Sequence, residues 1–229
     1  MGNVISLYSG KDPRELPNYS FSEAAAYLCL PRSTVAAWVR GQAAFKPVID
    51  LPDPKRSLLS FLNLVEVHVL SSIRQQGHPM PAIRKALAYL EKRFQVSRPL
   101  ATQQFYSDGV GLFIEHLGTL VDTCRDGQTA IREAVQAYLT RIEYGHDGIA
   151  TRLYPFTRRG TTNDPKSVMF DPTVSFGRLV LAGTGIPTEE VADRYRAGES
   201  AEELAKDFRV DREKIDEAIR CELNRTKAA

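Results

Sequence analysis

The sequence predicts a mainly α-helical protein with small β elements and a helix-turn-helix-like pattern at each end. Three observations carry that expectation. Apolar residues recur at i, i+3 and i+4 through most of the chain, the spacing of amphipathic helices. Two Ser-x-x-Glu capping boxes, Ser20 to Glu23 and Ser200 to Glu203, mark helix starts. Gly41, Gly77, Pro79, Pro187 and Gly198 fall where helices of ordinary length end or begin.

Composition narrows the function classes. With 229 residues, 43% hydrophobic and 25% charged, the chain can build one large domain or two to three small ones and is not a disordered polymer. No apolar run approaches the ~20 residues that cross a bilayer, and no basic-then-apolar leader opens the chain, so no membrane association is expected. Met1 to Ser6 fits the N-myristoylation pattern, a six-residue match that chance supplies often. Cys29, Cys124 and Cys221 are odd in number and far apart, which suits a reducing, cytoplasmic setting rather than a disulfide framework or a zinc site. His68, His78, His116 and His146 form no ligand-spaced cluster, so no metal or cofactor is expected. No nucleophile elbow, zincin motif or phosphate loop can be written, and the chain reads as a non-enzyme.

Charge is unevenly placed. Residues 188–229 carry twelve acidic and nine basic residues, a net −3, which leaves +5 for the rest of a chain whose total is +2. A phosphate-binding surface therefore belongs to the earlier part.

Residues 1–18 are polar, with Pro13 and Pro17, and read as a flexible lead-in. A helix over 23–28 and a second over 32–40, with Val35, Trp38 and Val39 on one face and Gly41 at its end, are joined by a short turn. That is the helix-turn-helix pattern. Residues 45–59, interrupted by Pro52-Asp53-Pro54, read as two short strands about a turn, the shape called a wing. Ser60 then caps a helix through Leu64, Val67, Leu70 and Ile73, and Pro79 opens another with Ile83, Leu87, Leu90 and Phe94 on one face. This first domain spans 19–96.

The middle, 97–157, reads as a small α+β region. Asp108-Gly109 between Phe105-Tyr106 and residues 110–114 predicts a hairpin, Ile131 to Ile142 a helix, and 149–156 a strand. Residues 158–167 read as a linker. The C-terminal unit, 168–229, has a glycine-punctuated extended stretch followed by three helices, starting at Pro187, Ser200 and Asp211.

In the helix-turn-helix, Arg32, Ser33, Thr34 and Arg40 lie on the helix that would enter a major groove. Lys55 and Arg56 on the wing would grip phosphates, which fix register without reading bases. A purely structural helix pair with solvated arginines is the competing reading. Between residues 32 and 60, five basic residues against two acidic ones favour nucleic acid.

Residues Tyr19 to Leu28 with Pro31 to Trp38, continued by Leu64 to Gly77 and Pro81 to Leu87, resemble the start of a MerR-like winged helix-turn-helix. Ala36-Ala37 stands where that family commonly has Arg-Tyr. Phe176-Gly177-Arg178 with Gly183-Thr184-Gly185-Ile186-Pro187 resembles a small helical domain recurrent in bacterial antitoxins; Leu179 replaces its usual proline. The combination is similar to VapB-type antitoxins. It implies an antitoxin of a type II toxin–antitoxin system that represses its own operon on double-stranded operator DNA; a homodimer or higher oligomer is expected because winged-helix proteins read two half-sites. The partner so implied is a PIN-domain ribonuclease toxin, bound directly. Gly183, Thr184, Ile186, Glu202, Glu203 and Asp207 are the residues expected to cover that toxin, an acidic helical surface being complementary to an RNA-binding one. The Gly-Thr-Gly stretch has an equally good structural reading, as a turn pinning a strand to a helix. The rival functions are a stand-alone MerR-like regulator, with Phe105, Tyr106, Phe113 and Tyr138 lining an effector pocket, and a pure interaction module.

Overall fold

The computed structural model describes residues 10–42, 45–121, 125–158 and 164–228. The Met1 to Ser6 pattern, Cys124 and residues 159–163 of the expected linker lie outside them. Ser20 accepts a hydrogen bond from the Glu23 amide at 3.1 Å while the Glu23 carboxylate takes the Ser20 amide at 2.8 Å. This box starts α1 (Phe21–Tyr27), whose Phe21, Ala24 and Ala25 are buried. Helix α2 (Arg32–Arg40) buries Val35, Trp38 and Val39 and stops at Gly41. There φ is 77° and an added Cβ would collide with the Phe45 carbonyl, so glycine is required. The expected wing strands do not form among the described residues. Single bridges, Gln42 to Phe45 and Tyr19 to Leu59, stand in their place. Pro47, Pro52 and Pro54 withhold the N–H groups that a ladder needs.

Helix α3 (Phe61–Gln75) is buried on every side from Phe61 to Ile73, as its nearly all-round apolar sequence requires. Its polar residues are satisfied internally. Asn63 caps the helix with Ser60 and donates to the Glu66 carboxylate at 2.9 Å, and Arg98 reaches Glu66 at 2.7 Å. Ser71 and Ser72 donate to the carbonyls of His68 and Val69. The His68 ring clusters with those of Tyr138 and Phe156, with Nε2 3.1 Å from the Tyr138 carbonyl. Helix α4 (Met80–Phe94) follows, burying Ile83, Leu87 and Leu90.

The expected hairpin at Asp108-Gly109 is instead helical. A π-type turn, Phe105–Gly109, runs straight into α5 (Val110–Val121) and is followed by α6 (Arg125–Leu139). Gly109 is there for packing: a Cβ would meet the Phe105 ring at 2.9 Å and the Phe94 ring at 3.0 Å. Phe105 and Phe113 meet edge to face in the core, while Tyr106 is partly exposed against Tyr144 and Tyr138 lies beside His68. These four aromatics therefore line no common pocket.

A four-stranded antiparallel sheet comes next, in the order β1 (Ile142–Tyr144), β2 (Ala150–Leu153), β3 (Val168–Phe170) and β4 (Leu179–Leu181). It runs across the expected linker, since β2 pairs with β3. The buried Arg141 guanidinium donates to the carbonyls of Tyr154, Pro155, Asp164 and Pro165, clamping both flanks of that segment. Three helices close the chain: α7 (Thr188–Arg196), α8 (Ala201–Phe208), opened by the second capping box, and α9 (Arg212–Ala228).

The two ends of the sequence meet. Tyr19, just before α1, and Tyr27, its last residue, pack edge to face on Phe170 of β3. The fully buried Glu222 of α9 accepts from Thr188 at 2.6 Å and Tyr27 at 3.1 Å, and pairs with Arg225 at 3.0 Å. Replacing it strands those groups, and losing one member of a buried ionic pair costs ~3–5 kcal/mol. Glu222→Ala is expected to lose stability of that order, read from urea unfolding followed by circular dichroism.

Glu66 and His68 bend the pH profile in opposite directions. Burial outweighs Arg98 and Asn63 and pushes the Glu66 carboxyl up to about 7, from 4.5. Burial holds the His68 imidazole down to about 4, from 6.5. The Glu66 contribution is present at low pH and is lost as pH rises toward 7. The His68 contribution is present above 6.5 and is lost as pH falls toward 4. The two offset across pH 4.5–6.5. Glu66→Gln removes one of them, so the variant should lose more stability than the native chain on acidification below pH 6.5. Urea midpoints measured through that range check this.

Candidate nucleic-acid interface

The helix-turn-helix turn is set by Cys29, whose φ of 54° is in the left-handed region, with Leu30 N bonded back to the Ala25 carbonyl at 2.8 Å. This turn points α2 so that Val35, Trp38 and Val39 face the core, while Arg32, Ser33 and Arg40 are exposed and Thr34 is half-buried. The Trp38 carbonyl accepts from Val48 N at 2.8 Å and Ile49 N at 3.2 Å, folding the following segment back onto the helix.

That segment carries Lys55 and Arg56 on a turn built by Asp53. Its carboxylate accepts the Lys55 amide at 3.0 Å, its carbonyl accepts the Arg56 amide at 3.1 Å, and the Arg56 side chain, 66% exposed, lies 3.5 Å from it. Arg40 links helix and turn: its guanidinium lies over the Phe21 ring at 4.9 Å and donates to Ser57 Oγ at 3.3 Å. Of the six residues expected on this face, Arg32, Ser33 and Thr34 share the start of α2, and Lys55 and Arg56 share the turn. Arg40 braces one against the other.

Beside α2 runs a groove of about 330 Å³ lined by Ser33, Thr34, Gln42, Phe45, Arg74 and Arg84. Arg74 comes from the last turn of α3 and Arg84 from α4, where Arg84 sits over the Phe45 ring at 5.8 Å and donates to the Lys46 carbonyl. Sequence reasoning passed over both arginines. At helical spacing they read as solvated positions; the end of α3 and the first turns of α4 bring them to this groove.

The residues expected to meet a protein partner are held as follows. Thr184 Oγ1 donates to the Leu181 carbonyl at 2.9 Å and accepts the Ile186 amide at 3.1 Å, closing a tight turn. Gly183 in it has φ 79°, and Ile186 packs against the core. Glu202 pairs with Arg212, Glu203 caps α8 through Ser200, and Asp207 pairs with Arg194 at 2.6 Å. All three acids are thus engaged within their own unit.

Residues 17–87 match the model of the family described as "Putative DNA-binding HTH domain". Residues 168–220 match "Protein of unknown function (DUF433)". Over 230 residues the chain is 30% identical to "Putative antitoxin VapB45" of Mycobacterium tuberculosis, with 90% of this chain and 93% of that protein covered. The chain belongs to the VapB45 antitoxin family. Its fold is also that of a solved structure, Rv2018 from M. tuberculosis, with TM-score 0.71, 28% identity and coverage of 89% of this chain and 98% of that one. Among the described residues no helix is long and apolar enough to cross a membrane.

The strained turn yields a test. A non-glycine residue in the left-handed region costs ~1–2 kcal/mol, so Cys29→Gly is expected to raise stability by about 1 kcal/mol, offset in part by glycine's greater freedom when unfolded. A higher melting temperature in calorimetry checks it.

Proposed function

We propose that this protein is an antitoxin of a bacterial type II toxin–antitoxin pair that acts in the cytoplasm. As a homodimer or higher oligomer it binds operator DNA through a MerR-like helix-turn-helix and represses its own operon. It neutralises a PIN-domain ribonuclease toxin by direct binding. The observation that carries this reading is a helix-turn-helix with exposed cations at α2 and the following turn, in a chain related over nearly its whole length to a protein named as an antitoxin. In the mechanism, α2 offers Arg32, Ser33 and Thr34 to base edges and nearby phosphates, while Lys55 and Arg56 hold the flanking backbone. Ala37, which lines the groove beside α2, has only a methyl group to offer, which suits apolar contact with a thymine methyl rather than hydrogen-bonded readout, while Ala36 packs against the core. The C-terminal unit, with its Gly183-Thr184-Ile186 turn and the acids Glu202, Glu203 and Asp207, covers the toxin.

The test titrates the full chain against its own promoter fragment at several salt concentrations and, separately, co-expresses it with a PIN-domain nuclease encoded in the same operon. Each lost phosphate contact lowers the slope of log K against log salt by about one. Lys55→Gln with Arg56→Gln should therefore lower it by about two, weakening binding to all sequences alike. Co-expression should restore growth that the nuclease alone arrests. Binding that ignores salt, or growth arrest that the chain does not relieve, would sink the corresponding half of the reading.

A further inference from the structure

The C-terminal unit holds a cation that its own acids do not neutralise. Of the seven arginines after residue 168, Arg194, Arg196, Arg212, Arg220 and Arg225 are ion-paired. Arg178 is exposed and has no carboxylate within ion-pair distance among the described residues; its Nε donates only to the Ser175 carbonyl, at 3.3 Å. Arg209 is also without one, but it ends α8. Arg178 stands elsewhere, beside the helix-turn-helix. Glu23 and Glu189 line the same small cleft, yet Glu23 is engaged with the Ser20 amide and Glu189 with Arg225 at 2.9 Å.

The backbone carrying Arg178 is held rigidly. Ser175, Phe176 and Gly177 have φ of 45°, 57° and 76°, a left-handed run that two side-chain-bearing residues adopt only under constraint. The constraint is tertiary. Asn18 Nδ2 donates to the Phe176 carbonyl at 2.8 Å, the buried Tyr19 hydroxyl donates to the Gly177 carbonyl at 2.6 Å, and Ser175 Oγ donates to the Gly185 carbonyl at 2.6 Å. A Cβ at residue 177 would meet the Tyr19 hydroxyl at 2.6 Å, so the close approach needs glycine. Phe176 is left 65% exposed. The loop is therefore fastened to residues 18 and 19, immediately before α1.

In a helix-turn-helix on DNA the second helix lies in the major groove and the first crosses the phosphate backbone. The start of α1 neighbours Arg40 through Phe21, and Arg178 through Asn18 and Tyr19. A guanidinium carried on a fixed backbone, with no carboxylate paired to it, is available there to meet a phosphate.

We propose that the loop at residues 175–178 is a second DNA-backbone contact, in which Arg178 neutralises a phosphate flanking the site read by α2. The toxin-associated unit thereby takes part in DNA binding, and the exposed Phe176 ring lies against the adjoining sugar. This rests on the DNA-binding reading above.

The test uses the full chain and a fluorescent mixed-sequence duplex of about three helical turns, followed by anisotropy across a salt series; non-specific DNA isolates the phosphate contribution. Arg178→Gln should lower the slope of log K against log salt by about one and weaken binding several-fold at low salt, while Arg178→Lys keeps the native slope. Equal melting temperatures confirm that the fold is kept. If Arg178→Gln binds with the native slope, the backbone contact is wrong and the loop is left for a protein surface. If Arg178→Gln and Arg178→Lys lower the slope alike, charge is not what acts there and the proposal also fails. A native chain whose affinity ignores salt overturns instead the DNA-binding reading on which the inference rests.

Discussion

A single buried carboxylate, Glu222, ties the first helix of the chain to the last. It sits fully buried on α9 and takes hydrogen bonds from Tyr27 of α1 and Thr188 of α7, while Arg225 pairs with it and also donates to Tyr27. A charge so placed is tolerated only because donors surround it. The same requirement sets the geometry: α1 cannot shift against α9 without leaving a buried acceptor or donor unmatched. Phe170, between Tyr19 and Tyr27, supplies the apolar half of the joint. The helix-turn-helix and the C-terminal helices therefore behave as parts of one packed body rather than as two beads on a string.

That joint gives the surface its organisation. The core side of α2 is locked by Val35, Trp38 and Val39, so its outward face is set by default, and Arg40 fastens the adjoining turn to it through Phe21 and Ser57. On this face Arg56 has only an exposed pair with Asp53, and no ion pair involves Arg32, Arg40 or Lys55 among the described residues, whereas the arginines of α7 to α9 are mostly spent on ion pairs with neighbouring acids. The division is electrostatic: potential is left over where phosphates would be met and largely cancelled elsewhere. Exposed pairs such as Arg196 with Asp193 add little stability. They remove net charge from the surface around them.

Elements with strong local signals were legible in the sequence. Both capping boxes, the Gly41 stop and the apolar stripes of α3, α4 and, as far as Leu139, α6 depend on neighbours within four residues, and the structure forms each of them, while Ile142 at the end of the last stripe falls in β1. Elements whose residues serve distant partners were not. Asp108-Gly109 carries the strongest short hairpin signal, but its glycine answers to Phe94 of another helix. The wing residues favour extended structure by type, yet three prolines deprive a ladder of donors. The site divides the same way. Arg32, Ser33, Lys55 and Arg56 could be picked out from the motif, while Arg74 and Arg84 could not, because their place depends on how α3 and α4 lie against α2.

The sequence by itself determined that the chain is mainly helical, where most helices start and stop, and which short motifs liken it to a MerR-like front and an antitoxin-associated back. These follow from backbone capping and apolar periodicity, which act over one or two turns. Only the tertiary structure decided that β2 and β3 pair across residues 154–167 and that Glu222 seals α1 to α9. It also decided that Arg178 stands beside the helix-turn-helix. Those arrangements join residues up to 195 positions apart. Such contacts form only where burial repays the ordering of the chain between them, and no local pattern in the sequence records that.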